Sequence, residues 1–349
     1  MTSRLTIALD AMGGDKAPRI VIKGADIARK RFPQVDFLLY GDENRIRPLL
    51  GSLADLEAVC TIHHTDQVIS GEDKPSHALR KGQASSMGLA IDAVRNKEAA
   101  GVVSAGNTGA LMAMSKMALR TLPGIDRPAI ATVMPTLRGE SVMLDLGANV
   151  LCDARNLVQF AIMGEVFART VHGLVNPTIG LLNVGAEDLK GHEAVKTASA
   201  ILREIDLPIR FHGFIEGNDI CAGTVDVVVT DGFTGNVSLK TAEGLSRLFT
   251  ELLGSAFKSS LMAKLGYLLA RNALTKVRTR IDPRRYNGAM FLGLNGIAVK
   301  SHGGTDAFGF ANAIGVAVDM AVHGFNDKII EELKYLGEDP LAAQQAAVS

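Results

Sequence analysis

Apolar positions along the chain alternate between two patterns. Short β-rich runs predict buried strands over 5–11, 35–41, 101–105, 141–146, 178–184, 225–230 and 297–301. Between them, apolar residues at helical spacing predict helices over 18–31, 77–97, from 108, 157–171, 193–205, from about 237, and from beyond 301 through about 322. Strands separated by helices of this length are the mark of parallel βαβ units, so an α/β fold on a parallel sheet is expected. No tandem repeat or low-complexity linker interrupts the 349 residues. At roughly 150 residues per domain this length allows about two lobes. They are expected to pack closely, as 1–135 plus 300–340 and 136–299, and the Ala/Gln-rich tail 341–349 is expected to fray.

Glycine sharpens this picture. The chain has 36, above the usual ~7%. They recur where a predicted strand hands over to a helix: Asp10, Gly13, Gly14, Asp15 and Lys16; Ser104, Gly106, Asn107 and Thr108; Asp145, Gly147 and Asn149; Asn183, Gly185 and Glu187; Asp231, Gly232, Thr234, Gly235 and Asn236; Ser301, His302, Gly303 and Gly304. In a parallel sheet all six loops would share the carboxyl edge, where open α/β folds bind ligands. Each loop alone reads as an ordinary helix cap. Six together suit an oxyanion, because glycine lets N–H groups converge and helix N-termini add positive potential. The ligand narrows by elimination. G-x-G-x-x-G, the P-loop, G-x-S-x-G and H-E-x-x-H are all absent, so neither a nucleotide cofactor, a metal nor a serine nucleophile is expected.

Net charge is zero, with 37 basic and 37 acidic residues, and Trp is absent. These values disfavour a globally basic nucleic-acid binder and an aromatic stacking platform. The balance conceals a local excess. Between Lys258 and Arg285 stand eight basic residues (Lys258, Lys264, Arg271, Lys276, Arg278, Arg280, Arg284, Arg285) and one acid, Asp282. The preceding leucines 245, 248, 252 and 253 with Phe249, then leucines 261, 265, 268 and 269, predict a basic amphipathic helical hairpin over about 244–280, broken near 254–260. Core packing would explain either helix alone. The concentrated charge favours docking to an anionic membrane surface or an acidic protein. Three scattered cysteines suggest a reducing compartment, and no run of ~20 apolar residues predicts a membrane span.

The segment from Ile7 to Pro18, IALDAMGGDKAP, resembles the opening motif of the bacterial PlsX family, the acyl-ACP:phosphate acyltransferases. The loops at 104–109, 145–149, 231–236 and 302–304 also resemble that family's motifs, over nearly the whole chain. The resemblance implies a fold of the isopropylmalate dehydrogenase and phosphate acetyltransferase type, a homodimer, and no cofactor. It implies transfer of a long-chain acyl group from acyl carrier protein to inorganic phosphate for phospholipid synthesis. A cytoplasmic enzyme bound peripherally to the inner face of the membrane is the implied location. It also supports Lys190 as the charge that neutralises phosphate or the developing oxyanion, and Asn236 as donor to the thioester oxygen. Without it, Lys190 reads as a solvated lysine and Asn236 as a helix cap. Arg80 and Lys81 follow a segment similar to family sequence and are weaker candidates, as are His302 as a proton relay and Cys152 or Cys221 as a thiol. A short-chain acyltransferase using acyl-CoA, an NAD-dependent decarboxylating dehydrogenase of similar fold and a non-catalytic lipid- or phosphate-binding regulator are the competing readings.

Overall fold

The apolar runs pair into one eleven-stranded sheet. The computed structural model describes residues 4–205 and 209–334; the tail expected to fray lies outside them. The strands are β1 (Leu5–Asp10), β2 (Val35–Gly41), β3 (Cys60–His64), β4 (Gly101–Ser104), β5 (Ala129–Pro135), β6 (Glu140–Leu144), β7 (Thr178–Leu182), β8 (Arg210–Ile215), β9 (Val227–Val229), β10 (Ala289–Leu292) and β11 (Ile297–Lys300). The helices are α1 (Arg19–Arg31), α2 (Glu43–Leu50), α3 (Ala54–Glu57), α4 (Pro75–Lys81), α5 (Ser86–Arg95), α6 (Thr108–Leu119), α7 (Ala154–Val171), α8 (Glu193–Glu204), α9 (Gly217–Ala222), α10 (Gly232–Lys258), α11 (Leu261–Arg280), α12 (Ala307–Val322) and α13 (Phe325–Lys334).

The strand order is β3-β2-β1-β4-β11-β10-β5-β6-β9-β7-β8. The α/β class holds, but the sheet is not wholly parallel. Strands β3 to β11 run one way and β6 to β8 the other, because three antiparallel pairings, β11–β10, β10–β5 and β5–β6, separate them. The six glycine loops therefore do not share one edge, as a uniform sheet would require. They fall into two clusters of three that leave the sheet in opposite directions.

Register brings the clusters to one line. A single row crosses every strand: Ile62, Leu39, Leu9, Val103, Val299, Met290, Ala131, Leu144, Val229, Leu181 and Phe214. From Leu39 to Leu181 its side chains are essentially inaccessible and join one continuous core. Asp10, Ser104 and Lys300 follow that row on one side; Asp145, Thr230 and Leu182 follow it on the other. From β11 to β6 is three strand spacings, roughly 14 Å.

The helix predicted over 77–97 is two, because Ser85 caps α5 by accepting from the Gly88 N–H at 3.1 Å, and the chain turns at Gly82 to make room. α7, buried nearly all round, packs beneath the second strand group after an Asp153–Asn156 capping box. α12 is a core helix: Phe310, Ala311, Ala313, Ile314 and Ala317 are wholly buried. Among the described residues no single helix is long and apolar enough to cross a membrane.

The basic hairpin is α10 and α11, and it is longer than expected. α10 begins at Gly232 rather than near 237 or 244, runs straight through Gly254, and turns only at Ser259–Ser260. Beyond Leu239, which packs on the core, its leucines are mostly exposed. α11 has no buried residue, and Leu261, Leu268 and Leu269 are 83%, 63% and 81% exposed.

Candidate active site

Each cluster is organised around one buried carboxylate. In the first, Asp10 ends β1 and accepts from Ser86 Oγ at 2.6 Å, Ser104 Oγ at 2.6 Å and the Met12 and Gly13 N–H groups. Burial pushes its carboxyl above the ordinary range, and these bonds oppose the shift. The Gly106 N–H donates to Ser104 Oγ at 3.0 Å and the Asp15 N–H to the Gly303 carbonyl at 3.0 Å, so the three loops form one unit. Gly14 needs its left-handed φ of +99° here, between Ala105 and Gly303.

In the second cluster Asp145 ends β6. Oδ1 accepts from the N–H groups of Ile130, Gly147 and Ala148 at 2.9, 3.2 and 3.0 Å; Oδ2 accepts from Asn149 N–H at 2.7 Å and Asn149 Nδ2 at 3.0 Å. α10 starts directly on this knot. The Gly232 N–H donates to the Asn149 carbonyl at 2.8 Å, and Asp231 caps the helix by accepting from Thr234 N–H and Oγ1 at 2.9 and 2.8 Å. At Gly235 a Cβ would stand 1.9 Å from the Asp145 carbonyl oxygen, so only glycine allows the helix to begin so close.

Asn236 follows, exposed, its amide beside Gly147 and without a hydrogen-bond partner among the described residues. It is not the cap; Asp231 is. Lys190 stands on the loop after the neighbouring strand β7, because β9 lies between β6 and β7 in the sheet. Asn183 Nδ2 ties this loop by donating to the carbonyls of Gly185 and Lys190 at 3.1 and 3.0 Å. Lys190 Nζ is 3.0 Å from Glu187 Oε1, and that bond holds the Glu187 carboxyl below its ordinary range.

Most other expected site residues hold the scaffold. Asn149 is buried and donates to Pro128 O. Asn107 caps α6 and donates to the carbonyls of Gly71 and Asp73. Arg80 is exposed and donates to Ser76 O of its own helix. The ring Nδ1 of His302 accepts from Gly304 N–H, while its backbone N–H donates to Asn287. Lys16 and Thr108 are exposed at the rim of the first cluster. Cys152 is not an activated thiol, because burial pushes it up to about 12.

On the hairpin, Arg280 donates to the carbonyls of Thr136 and Leu137 and so anchors its base; Arg284 pairs with Asp282 and Asp306. Lys258, Lys264, Arg271, Lys276 and Arg278 form no ion pair among the described residues. A cavity of about 500 Å³ at the hairpin base, lined by Glu140, Lys276, Arg280, Arg285 and Tyr286 among others, includes no loop residue of either cluster.

Sequence reasoning missed Lys300 and Lys240. Lys300 is a cation closing an apolar four-residue strand just before Ser301, a placement visible in the sequence. Lys240, one turn beyond Asn236 on α10, is close enough for its charge to act on Lys300, so α10 reaches from the second cluster toward the first.

The family described as fatty acid synthesis protein matches residues 5–328. The chain is 62% identical over 347 residues to the phosphate acyltransferase of Paramagnetospirillum magneticum, covering 99% of each chain. It is 65% identical over 349 residues to that of Rhodospirillum centenum, covering 100% of this chain and 98% of the relative. Its fold is similar to a phosphotransacetylase from Streptococcus pyogenes, with a TM-score of 0.59 at 17% identity, over 92% of this chain and 95% of that one. The chain thus belongs to the fatty acid synthesis protein family, the PlsX-type phosphate acyltransferases.

Proposed function

We propose that the protein transfers a long-chain acyl group from acyl-[acyl-carrier-protein] to inorganic phosphate by direct attack of phosphate on the thioester. A phosphate oxygen bonds to the carbonyl carbon, the carbonyl oxygen gains charge, and the C–S bond then breaks to release the carrier thiolate. The observation that carries this reading is the unpartnered amide of Asn236, at the start of α10 beside Gly147, on the helix that follows β9, the strand paired with the one that leads to Lys190. With no competing partner, this amide is free to donate to the oxyanion as charge develops. Lys190 supplies the countercharge, and its bond to Glu187 holds the ammonium at the loop until an anion competes for it.

The exposed leucines and unpaired cations of the hairpin support peripheral association with an anionic membrane on the cytoplasmic side, or docking of the acidic carrier. Each cation near an anionic bilayer contributes about 1 kcal/mol. The deciding experiment offers long-chain acyl-ACP and acetyl- or butyryl-CoA in parallel with phosphate. Formation of acyl-phosphate chiefly from the long-chain carrier is expected; preference for the short-chain CoA esters would replace this reading with a short-chain phosphate acyltransferase.

A further inference from the structure

Lys300 is a buried cation with no carboxylate partner. Its side chain closes β11 at 8% exposure, inside the three loops of the first cluster. Nζ donates to the Ala105 carbonyl at 3.4 Å and to the Ser301 carbonyl. An ammonium has three donors, so one remains. Among the described residues no carboxylate lies within ion-pairing distance of it. Asp10 and Asp15 are near enough to favour its charge, but Asp10 is already committed to two serines and two N–H groups, and burial raises its carboxyl toward the neutral form. A buried charge left this poorly compensated is costly unless something else neutralises it. Two helices of more than eight residues, α6 and α12, start from the same loops.

We propose that Lys300 and the glycine loops around it form a second oxyanion site for a phosphate-class group, separate from Lys190 and Asn236. It rests on the acyl-transfer reading, whose two substrates both carry such a group: inorganic phosphate itself, and the phosphodiester of the carrier's pantetheine arm. α10 links the sites, since Lys240 lies one turn beyond Asn236 and its charge reaches Lys300. The charged groups acting on Lys300 are Asp10 and Asp15 from the β1 loop and Lys240 from α10.

Burial lowers the Lys300 ammonium to about 8, opposed by Asp10 and Asp15 and assisted by Lys240. Its charge is therefore present below that pH and lost above it, whereas inorganic phosphate stays a dianion as pH rises further. The test compares the wild-type enzyme with Lys300→Met. Phosphate binding is followed by phosphorus NMR, and KM is measured for phosphate, for acyl-ACP and for an acyl-pantetheine lacking the phosphodiester. Loss of one charge-assisted hydrogen bond should weaken one ligand about tenfold or more. A raised phosphate KM with weakened phosphate binding identifies inorganic phosphate as the occupant. A raised acyl-ACP KM with the acyl-pantetheine KM unchanged identifies the phosphodiester. Unchanged values for both in a folded variant would overturn the second site while leaving the acyl-transfer reading intact. Should Lys300→Met not fold, the wild-type enzyme decides from pH 7.5 to 9.5: weakening of either ligand through about pH 8 is expected, and flat profiles for both would overturn the proposal. Absence of any acyl-phosphate from wild-type enzyme would instead remove the acyl-transfer reading.

Discussion

Asp10 and Asp145 are both inaccessible carboxylates at strand ends, yet they hold their loops through different donors. Asp10 draws two of its bonds from serine hydroxyls, one of them on α5, far along the chain. Asp145 draws all five from amide N–H groups, four of them within its own loop. Hydroxyls can rotate and exchange donor for acceptor; backbone amides cannot. The second cluster thus has fewer ways to exchange its bonds, and the helix start it holds carries the free amide of Asn236. A backbone held in this way sets where that donor can reach, and a donor placed where charge develops is what stabilises an oxyanion.

The difference between the clusters sets how much each substitution costs. Asn236→Ala should lower kcat by about 10²–10³ with the fold intact by circular dichroism, and Lys190→Ala should do likewise. Gly235→Ala forces the start of α10 off the Asp145 carbonyl, and a displacement near 1 Å should cost about 10²-fold in activity. Gly303→Ala in the first cluster meets nothing closer than 3.5 Å and should change stability by no more than about 0.5 kcal/mol. Equal losses of stability from the two glycines would erase the distinction between the clusters.

Asp145→Asn and Asp10→Asn should differ in stability. An amide at Asp145 sets its own NH2 against two donors of Asn149, at a cost of about 3 kcal/mol. At Asp10 the new NH2 can face Ser104, whose hydroxyl is able to accept, so the cost should be only about 1 kcal/mol. Chemical denaturation of both variants measures the difference. The smallest effect on stability belongs to the hairpin: Leu268→Ser with Leu269→Ser should change it by no more than about 0.5 kcal/mol, since both are exposed. The same pair should reduce flotation with anionic vesicles. Unchanged flotation would argue that the exposed leucines serve another purpose.

Much of this architecture was legible from periodicity. Buried runs such as Val35–Gly41 and the helix Glu193–Glu204 emerge within a residue or so, because burial on both faces or one amphipathic stripe leaves a strong local pattern. β10, four residues long, and the antiparallel β5 escaped the βαβ reading. Their pairing depends on contacts far along the chain, and the reversal they create separated loops that a parallel sheet would have gathered. The site was legible as motifs but not as roles. Asn149 and Asn107 look as available in sequence as Asn236, and only packing reveals that the first two are fully engaged. Lys300 carried a visible signal, a cation closing an apolar strand. The glycine motif beside it drew attention to the loop rather than to the strand end.

Direct attack by phosphate proceeds without an acylated enzyme. Its plainest test mixes enzyme with radiolabelled long-chain acyl-ACP in a single turnover, first without phosphate and then with it. Direct attack leaves no label on the protein in the first case and gives labelled acyl-phosphate, matched by released carrier thiol, in the second. Label that accumulates covalently on the enzyme without phosphate, and passes to phosphate at the rate of turnover, would contradict it.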